Sequence, residues 1–262
     1  MDDVVSRGIV LRSVRYGERG RVVEVYTEAA GTRSFFVSGK GGRVAARTAH
    51  GARHLGTGSA ARGRPLSDAL WLPLNIVEIV WHEGGNGSGE LLRPRDVAMA
   101  HAWRELYFRP QKSAVVMFLS EFLSYALRGE VGDARLMAYV ATSLAWLDDA
   151  VHGIGVFPVT FLMGLAPLLG FDVRGGVWHE GCYFDLMAGS YESERPAHDH
   201  FLSPEEAAVV PKLLGVPVTM SARVHVPGWV LQRALRVVIE FYQLHLPVMP
   251  LRLKSLDVLA ML

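Results

Sequence analysis

The densest group of side chains able to bind a metal or move a proton lies between His179 and His200. Imidazole, thiolate and carboxylate groups are the usual zinc ligands, and a catalytic zinc ion activates a bound water. One function left open is therefore a metal-dependent hydrolase. None of the standard ligand spacings recurs, and the glycine-rich segment is predicted to be a loop, so we expect no metal and no catalytic residue here. The members of the group are His179, Glu180, Cys182, Asp185, His198, Asp199 and His200.

Cys182 is the only cysteine of the chain, which excludes a disulfide framework and a four-thiolate zinc site. A nucleophilic thiol needs a base and an electropositive setting, and His179 is the one candidate base nearby in sequence. A single Cys/His pair is a weak signal. We predict a buried structural thiol.

A second kind of chemistry, the binding of a polyanion, is indicated by residues 40–64, which hold six cations and no Asp or Glu. Their Gly, Ala and Thr content provides too little apolar surface to offset the ordering entropy, so a flexible loop is predicted. A basic loop suits nucleic acid, and the alternative is a solvated loop without function. The cations are Lys40, Arg43, Arg47, Arg53, Arg62 and Arg64.

The charge is distributed unevenly along the chain. Residues 1–66 carry 12 Lys and Arg against 5 Asp and Glu, whereas residues 67–262 carry 15 against 21. Such asymmetry indicates that the first part meets a polyanion and the second does something else. The sequence around Lys40 lacks the P-loop spacing, so no ATPase activity is predicted.

The elements that would hold the basic loop are strands. Alternation and β-branched or aromatic content predict five of them within about 100 residues, which suits a small closed barrel such as the OB-fold. Pro73 indicates an edge or a bulge in the fourth. The predicted strands are Arg7–Tyr16, Arg21–Thr27, Thr32–Ser38, Ala69–Trp81 and Glu90–Val97.

From about Arg109 the apolar period becomes helical, which predicts an α-helical bundle. The fold class is therefore α+β, with a barrel domain over residues 1–100 and a helical domain over residues 101–262. The predicted helices are Ser113–Leu127, Asp133–Val151, Val156–Leu169, Ser203 to about Leu214, Trp229–Leu246 and Ser255–Leu262.

Residues 151–171 contain no Asp, Glu, Lys or Arg and are long enough to span a bilayer. Pro158, Pro167 and four glycines interrupt the run, so buried helical turns of a core are predicted instead. The start of the sequence lacks a positively charged segment followed by an apolar run, which disfavours a secretory signal. A cytoplasmic, nucleoid-associated protein without membrane contact is expected.

Several segments, taken together in their order and spacing over nearly the whole chain, carry a family resemblance. The segments are Arg7–Leu11, Tyr26–Glu28 with Gly31, Phe35–Val37, Phe118–Leu123, Leu168–Phe171, Tyr183–Asp185, Tyr242–Pro247 and Lys254–Leu259. They resemble the RecO family of bacterial DNA repair and recombination mediators, in the branch found in Bacteroidetes-like bacteria.

The resemblance implies binding of single- and double-stranded DNA, annealing of complementary strands, and partnership with RecR and the single-stranded DNA-binding protein to load RecA. It implies no enzyme activity and no cofactor. Many members carry a four-cysteine zinc site after the Leu-Gly-Phe position, whereas this chain has only His179 and Cys182 there. Beyond Arg43 its basic loop is longer and richer in Gly and Ala than is usual in the family.

The predicted DNA contacts are the cations of the first part, with aromatic stacking from Tyr16 or Phe36. A groove lined by Leu and Phe in the helical half is expected to bind protein partners. One alternative is a general OB-fold DNA- or RNA-binding protein without mediator activity. The other is the hydrolase using His179, His198, Asp199 and His200. The predicted DNA contacts are Arg15, Arg19, Arg21, Arg33, Lys40, Arg43, Arg47, Arg53, Arg62 and Arg64.

Overall fold

A computed structural model of the chain describes residues 3–17, 20–38, 68–82, 91–171, 176–209, 213 and 216–259. The chain forms two compact units. The first consists of Met1–Arg104 and Leu119–Ala138, and the second of Glu105–Phe118 and Tyr139–Leu262.

The first unit contains a five-stranded sheet with the order β3-β2-β1-β4-β5, in which all neighbouring strands are antiparallel. Leu92, just before β5, forms a parallel bridge with Phe35 of β3 and thereby joins the two edges of the sheet. The closed order 1-2-3-5-4-1 is that of an OB-fold, which confirms the predicted fold class. The strands are β1 (Asp3–Tyr16), β2 (Gly20–Thr27), β3 (Gly31–Ser38), β4 (Ile76–His82) and β5 (Pro94–Met99).

The interior of the barrel is filled by alternate residues of its strands, as the period of two requires. Phe35 of β3 packs edge-to-face on Trp81 of β4, with ring centroids 5.7 Å apart. Leu70 and Trp71, which belong to no strand, join the same buried cluster. The other members are Val10, Val23, Val25, Val37, Val77, Ile79 and Val97.

The prediction of one strand over residues 69–81 is wrong. Asp68–Trp71 is a 3₁₀ helix, and β4 begins only at Ile76. Leu74, at φ 63°, turns the chain and donates its backbone N–H to the Val10 carbonyl over 2.7 Å. The Asn75 side-chain amide donates to the Ala69 carbonyl, which ties the helix to the start of β4. Because this turn is buried, its residues are as apolar as a strand.

Each α-helix of the described residues begins within three residues of its predicted start. Pro110 starts the first, and Ser203 caps the fourth with its hydroxyl on the Glu206 N–H, in a capping box. The predicted continuation toward Leu214 falls largely on residues outside the described part. The helices are α1 (Pro110–Ala126), α2 (Ala134–Asp149), α3 (Phe157–Leu165), α4 (Pro204–Ala207), α5 (Gly228–His245) and α6 (Leu256–Leu259), with 3₁₀ helices at Ala166–Leu169 and Val218–Arg223.

The second unit also contains a small antiparallel sheet, where the sequence predicted a loop. Its order is β7-β6-β8, and Phe184 of β6 pairs with both neighbours. Its three strands are β6 (Tyr183–Asp185), β7 (Ser190–Glu192) and β8 (Phe201–Leu202). The loop prediction was wrong because runs of two or three residues are too short to show a period of two.

The uncharged run over residues 151–171 contributes to the core of the second unit. Phe157 of α3 stacks on Trp146 of α2, and Tyr242 of α5 donates its hydroxyl to the Leu162 carbonyl over 2.6 Å. Gly170, at φ 85°, ends the following 3₁₀ helix. Among the helices of the described residues, none has the length and apolar composition needed to cross a bilayer.

Candidate nucleic-acid interface

The outer face of the barrel at β1, β2 and β3 is built from directly opposed residues. Because Val23, Val25 and Phe35 point into the core, the residues between them point outward. Directly opposed residues share a face. The outward rows are Arg12–Glu24–Ser34, Val14–Val22–Phe36 and Tyr16–Gly20–Ser38.

Tyr16, Phe36 and Arg93 form a cluster on this face, which we call the aromatic platform. The rings of Tyr16 and Phe36 are nearly perpendicular, with centroids 6.5 Å apart. The guanidinium carbon of Arg93 lies 5.7 Å from the centroid of Phe36, within the range of a cation–π contact. Tyr16 is 68% exposed. An apolar ring and a planar cation are therefore presented together to solvent.

Two features of the barrel create the platform. The first is Gly20, where a Cβ would lie 2.6 Å from Cζ of Phe36 and 2.8 Å from the Val37 carbonyl oxygen. Only a residue without a side chain leaves room for the Phe36 ring across β2. The second is the barrel closure, because Phe36 N–H donates to the Leu92 carbonyl over 2.7 Å and so places Arg93 beside β3.

The two residues that flank the predicted basic loop lie at the same end of the barrel. Ser38 is paired with Gly20 in the sheet. Asp68 accepts a hydrogen bond from the Arg21 guanidinium, and Arg21 follows Gly20 directly. The described chain therefore stops at Ser38 and resumes at Asp68 at the same end of the barrel as the platform.

Three of the ten predicted cations lie in the described part of the barrel. Arg15 is exposed and lies opposite Arg21 in the sheet, at the same end of the barrel as the platform but on the other face of β1. Arg21 is mostly buried and paired with Asp68. Arg33 lies toward the start of β3, about 16 Å along the strand from Ser38 at ~3.3 Å per residue, and donates to the Thr32 carbonyl. Outside the described residues lie Arg19, Lys40, Arg43, Arg47, Arg53, Arg62 and Arg64.

Two cations of this face were missed in the sequence. Arg12 shares its alternation with Val14 and Tyr16, so the period of two could have revealed it. Arg93 is far from β3 in sequence and reaches Phe36 only through the barrel closure, which no local pattern shows. Glu24, opposite Arg12, is the acidic member of the face. Burial raises the pKa of its carboxyl, opposed by the charges of Arg128 and Arg12.

The histidines of residues 179–200 are arranged in pairs. His198 Nε2 lies 3.1 Å from Asp185 Oδ2, and His200 Nδ1 lies 3.0 Å from Glu240 Oε1. His179 is within hydrogen-bond distance of the Ser193 hydroxyl. No group of three or more potential metal ligands occurs in the part of the chain that the structure describes.

Cys182 is completely buried, as predicted for a structural thiol. Its neighbour is the Tyr191 ring, whose hydroxyl pKa burial raises to about 12. A thiol out of contact with solvent cannot attack a substrate unless the sheet opens.

Residues 1–64 match the family described as Recombination protein O N terminal, and residues 108–255 match Recombination protein O C terminal. The chain belongs to the recombination protein O family. The RecO resemblance predicted from the sequence is thereby confirmed, and the chain is a member of a DNA repair and recombination family.

Relatives named DNA repair protein RecO are similar over almost their whole length. The protein of Phocaeicola vulgatus is 32% identical over 252 residues, 96% of this chain and 95% of the relative. The protein of Bacteroides fragilis is 31% identical over 253 residues, 96% of each chain. The protein of Flavobacterium johnsoniae is 29% identical over 259 residues, 98% of this chain and 97% of the relative.

Proposed function

We propose that this RecO-family chain is a recombination mediator that acts by binding, without a catalytic step. It binds single- and double-stranded DNA and anneals complementary strands. With RecR, it helps to load RecA onto DNA coated by the single-stranded DNA-binding protein. Family membership supports a role in repair, and the OB barrel supports contact with nucleic acid.

The observation that carries the proposal is the location of positive charge. Arg12, Arg15 and Arg93 are exposed on the barrel, and the basic residues 40–64 are flanked by Ser38 and Asp68 at the same end. Neutralising phosphates with such cations releases counterions, which supplies affinity without base recognition. A surface of this kind binds both strands of an annealing reaction.

The second unit is proposed to bind the protein partners. It holds an apolar groove between α3, α5 and the small sheet, lined among others by Val159, Phe184 and Phe241. Trp229 and Arg233 line the same groove. Arg233 is paired with Glu206 over 2.6 Å, and the apolar wall suits the apolar side chains of a partner peptide, such as a flexible protein tail.

Trp229 offers a direct test of the groove, because it is 70% exposed and its replacement should leave the fold intact. Trp229→Glu is expected to abolish binding to the single-stranded DNA-binding protein while affinity for bare DNA is unchanged. Met117→Glu, at another exposed apolar side chain of this unit, is the matched control and should bind the partner normally. Undiminished partner binding by Trp229→Glu would remove the groove from the mechanism.

The proposed function is tested by annealing two complementary strands, first bare and then coated with the single-stranded DNA-binding protein. A mediator accelerates annealing of both. A general OB-fold DNA- or RNA-binding protein accelerates annealing of bare strands only. Failure on the coated strands would reject the mediator function, and failure on both would also reject the annealing activity.

A further inference from the structure

We propose that the aromatic platform of Tyr16, Phe36 and Arg93 is a stacking site for unpaired nucleobases, so that the barrel distinguishes single strands from duplex. The proposal rests on the proposed DNA binding and goes further, because charge alone does not distinguish the two forms. It assigns to these three side chains a contact with bases rather than phosphates.

The geometry provides two surfaces on which a base can stack. The Tyr16 ring is mostly solvent-exposed, and the exposed Arg93 guanidinium lies over Phe36. Aromatic rings and guanidinium planes are the two protein groups on which unstacked bases rest. The perpendicular Phe36 ring buttresses Tyr16 from the side. Phe36 of β3 therefore supports both the Tyr16 ring and the Arg93 guanidinium from the barrel sheet.

The surroundings of the platform indicate nucleic acid rather than a protein surface. Exposed Val14 lies in the adjacent row, and exposed Arg12 and Arg15 are on the same strand. Residues 1–66 carry seven more cations than acids. An exposed aromatic ring beside the Arg93 guanidinium, on the same strand face as Arg12, matches a ligand with ring faces and regularly spaced negative charges. Single-stranded nucleic acid has both, whereas in a duplex the base faces are covered by stacking.

Gly20 is the positioning residue of the site. Its missing side chain allows the Phe36 ring to cross β2, where any Cβ would meet both that ring and the Val37 carbonyl. The platform is therefore a property of the closed barrel, built from β1, β2, β3 and the segment at Leu92 and Arg93, and contains none of the basic residues 40–64. Charge from that segment and stacking on the platform are expected to contribute separately to affinity.

The test compares the dissociation constants of an unstructured oligonucleotide and a duplex of equal length, using the full chain. Stacking on one aromatic residue changes affinity by about 5- to 150-fold. Tyr16→Ser is therefore expected to weaken single-strand binding about tenfold and to lower the single-strand preference by nearly as much. Tyr16→Phe, which keeps the ring, should retain the preference. Arg93→Lys, which keeps the charge but loses the plane, should lower it.

The matched control is Phe108→Ser, which removes an exposed aromatic ring from the second unit and should leave the preference unchanged. A second readout is the fluorescence of 2-aminopurine placed in the oligonucleotide. Stacking on Tyr16 quenches it, and the quenching should disappear in Tyr16→Ser. A merely structural role of Tyr16 would not remove this signal at saturating protein.

Equal loss of single-strand and duplex affinity in Tyr16→Ser, or no loss of either, would overturn the stacking site and leave the proposed DNA binding intact. Absence of DNA binding by the unmodified protein would overturn both. A changed preference together with lost quenching supports the stacking site.

Discussion

Arg21 of β2 donates a hydrogen bond from its guanidinium to Asp68, the residue with which the described chain resumes after residue 38. Arg21 also lies 3.4 Å from the Ser13 hydroxyl of β1. Only 17% of its side chain is exposed, against 76% for Asp68. Arg21 was predicted as a phosphate contact, and its geometry makes it first a tether for the 3₁₀ helix at Asp68–Trp71.

The Arg21–Asp68 hydrogen bond leads to the prediction that removing the charge of Asp68 raises the affinity for DNA. Asp68→Asn removes a negative charge at the same end of the barrel as the platform and leaves the Arg21 guanidinium without its carboxylate. Since Asp68 is exposed, the unfolding free energy should change by less than about 1 kcal/mol. Affinity for single-stranded DNA at low salt should rise about twofold, because like charge near the phosphates is removed. Fluorescence anisotropy measures this directly.

Asp3→Asn is the matched control, since Asp3 is also paired with an arginine, Arg95, at 2.8 Å. Asp3 lies at the opposite end of β1 from Tyr16. If Asp3→Asn raised the affinity as much as Asp68→Asn, the net charge of the protein, and not the place of Asp68 at the platform's end of the barrel, would explain the rise.

Tyr26 predicts a loss of stability. Its buried hydroxyl donates to the Val131 carbonyl over 3.0 Å and accepts from the Asp133 N–H over 3.0 Å. Tyr26→Phe leaves both backbone groups without this partner, which should cost about 1–3 kcal/mol of unfolding free energy. Urea unfolding measures the change. The exposed Tyr16→Phe should be nearly neutral, and equal losses in the two variants would contradict the assignment.

Glu24 predicts a pH dependence of stability. Burial raises the pKa of its carboxyl above the ordinary 4.5, so the folded chain holds this proton to higher pH than the unfolded chain. Stability is therefore lost as the pH rises through 4.5 toward the raised pKa. Glu24→Gln removes this loss. The thermal midpoint of the variant minus that of the unmodified protein should therefore increase as the pH rises from about 4 to about 7. A difference in thermal midpoint that stays constant with pH would contradict the burial of the Glu24 carboxyl.

The pKa of Glu206 is lowered instead of raised, so we expect a pH dependence of stability of the opposite sign. The hydrogen bond from Arg233 holds the pKa of Glu206 below its ordinary 4.5. The stabilisation is complete above pH 4.5 and is lost as the pH falls through the lowered pKa. Glu206→Gln should therefore be destabilised relative to the unmodified protein near neutral pH, with the difference narrowing below pH 4.5. A stability difference between Glu206→Gln and the unmodified protein that widens at acidic pH would contradict the Arg233–Glu206 pairing.

Local patterns predicted those parts of the fold in which one period persists over many residues. Alternation over Arg21–Thr27 and the cap at Ser203 each carry their own signal, and both elements begin within one residue of the prediction. The strand prediction for residues 69–75 was wrong because a buried turn, with Leu74 at positive φ, is as apolar as a strand. Burial and strand content cannot be separated by hydrophobicity alone.

The platform shows a second limit of local reasoning. Tyr16 and Phe36 were predicted as stacking candidates, and each lies in a predicted strand. Arg93 was missed because its approach to Phe36 depends on the bridge between Phe35 and Leu92, which are 57 positions apart. Pairings at this separation are set by closure of the whole barrel. The role of Gly20 likewise follows only from the position of the Phe36 ring.

The central claim, that cations of the first part neutralise DNA phosphates, is tested most directly by the salt dependence of single-strand affinity. Neutralising about six phosphates predicts a slope of about −4 for log K against log salt. Replacing the six cations of residues 40–64 by alanine should reduce the slope to less than half. The positions are Lys40, Arg43, Arg47, Arg53, Arg62 and Arg64. A salt-independent affinity of the unmodified protein, or an unchanged slope in the variant, would contradict the account.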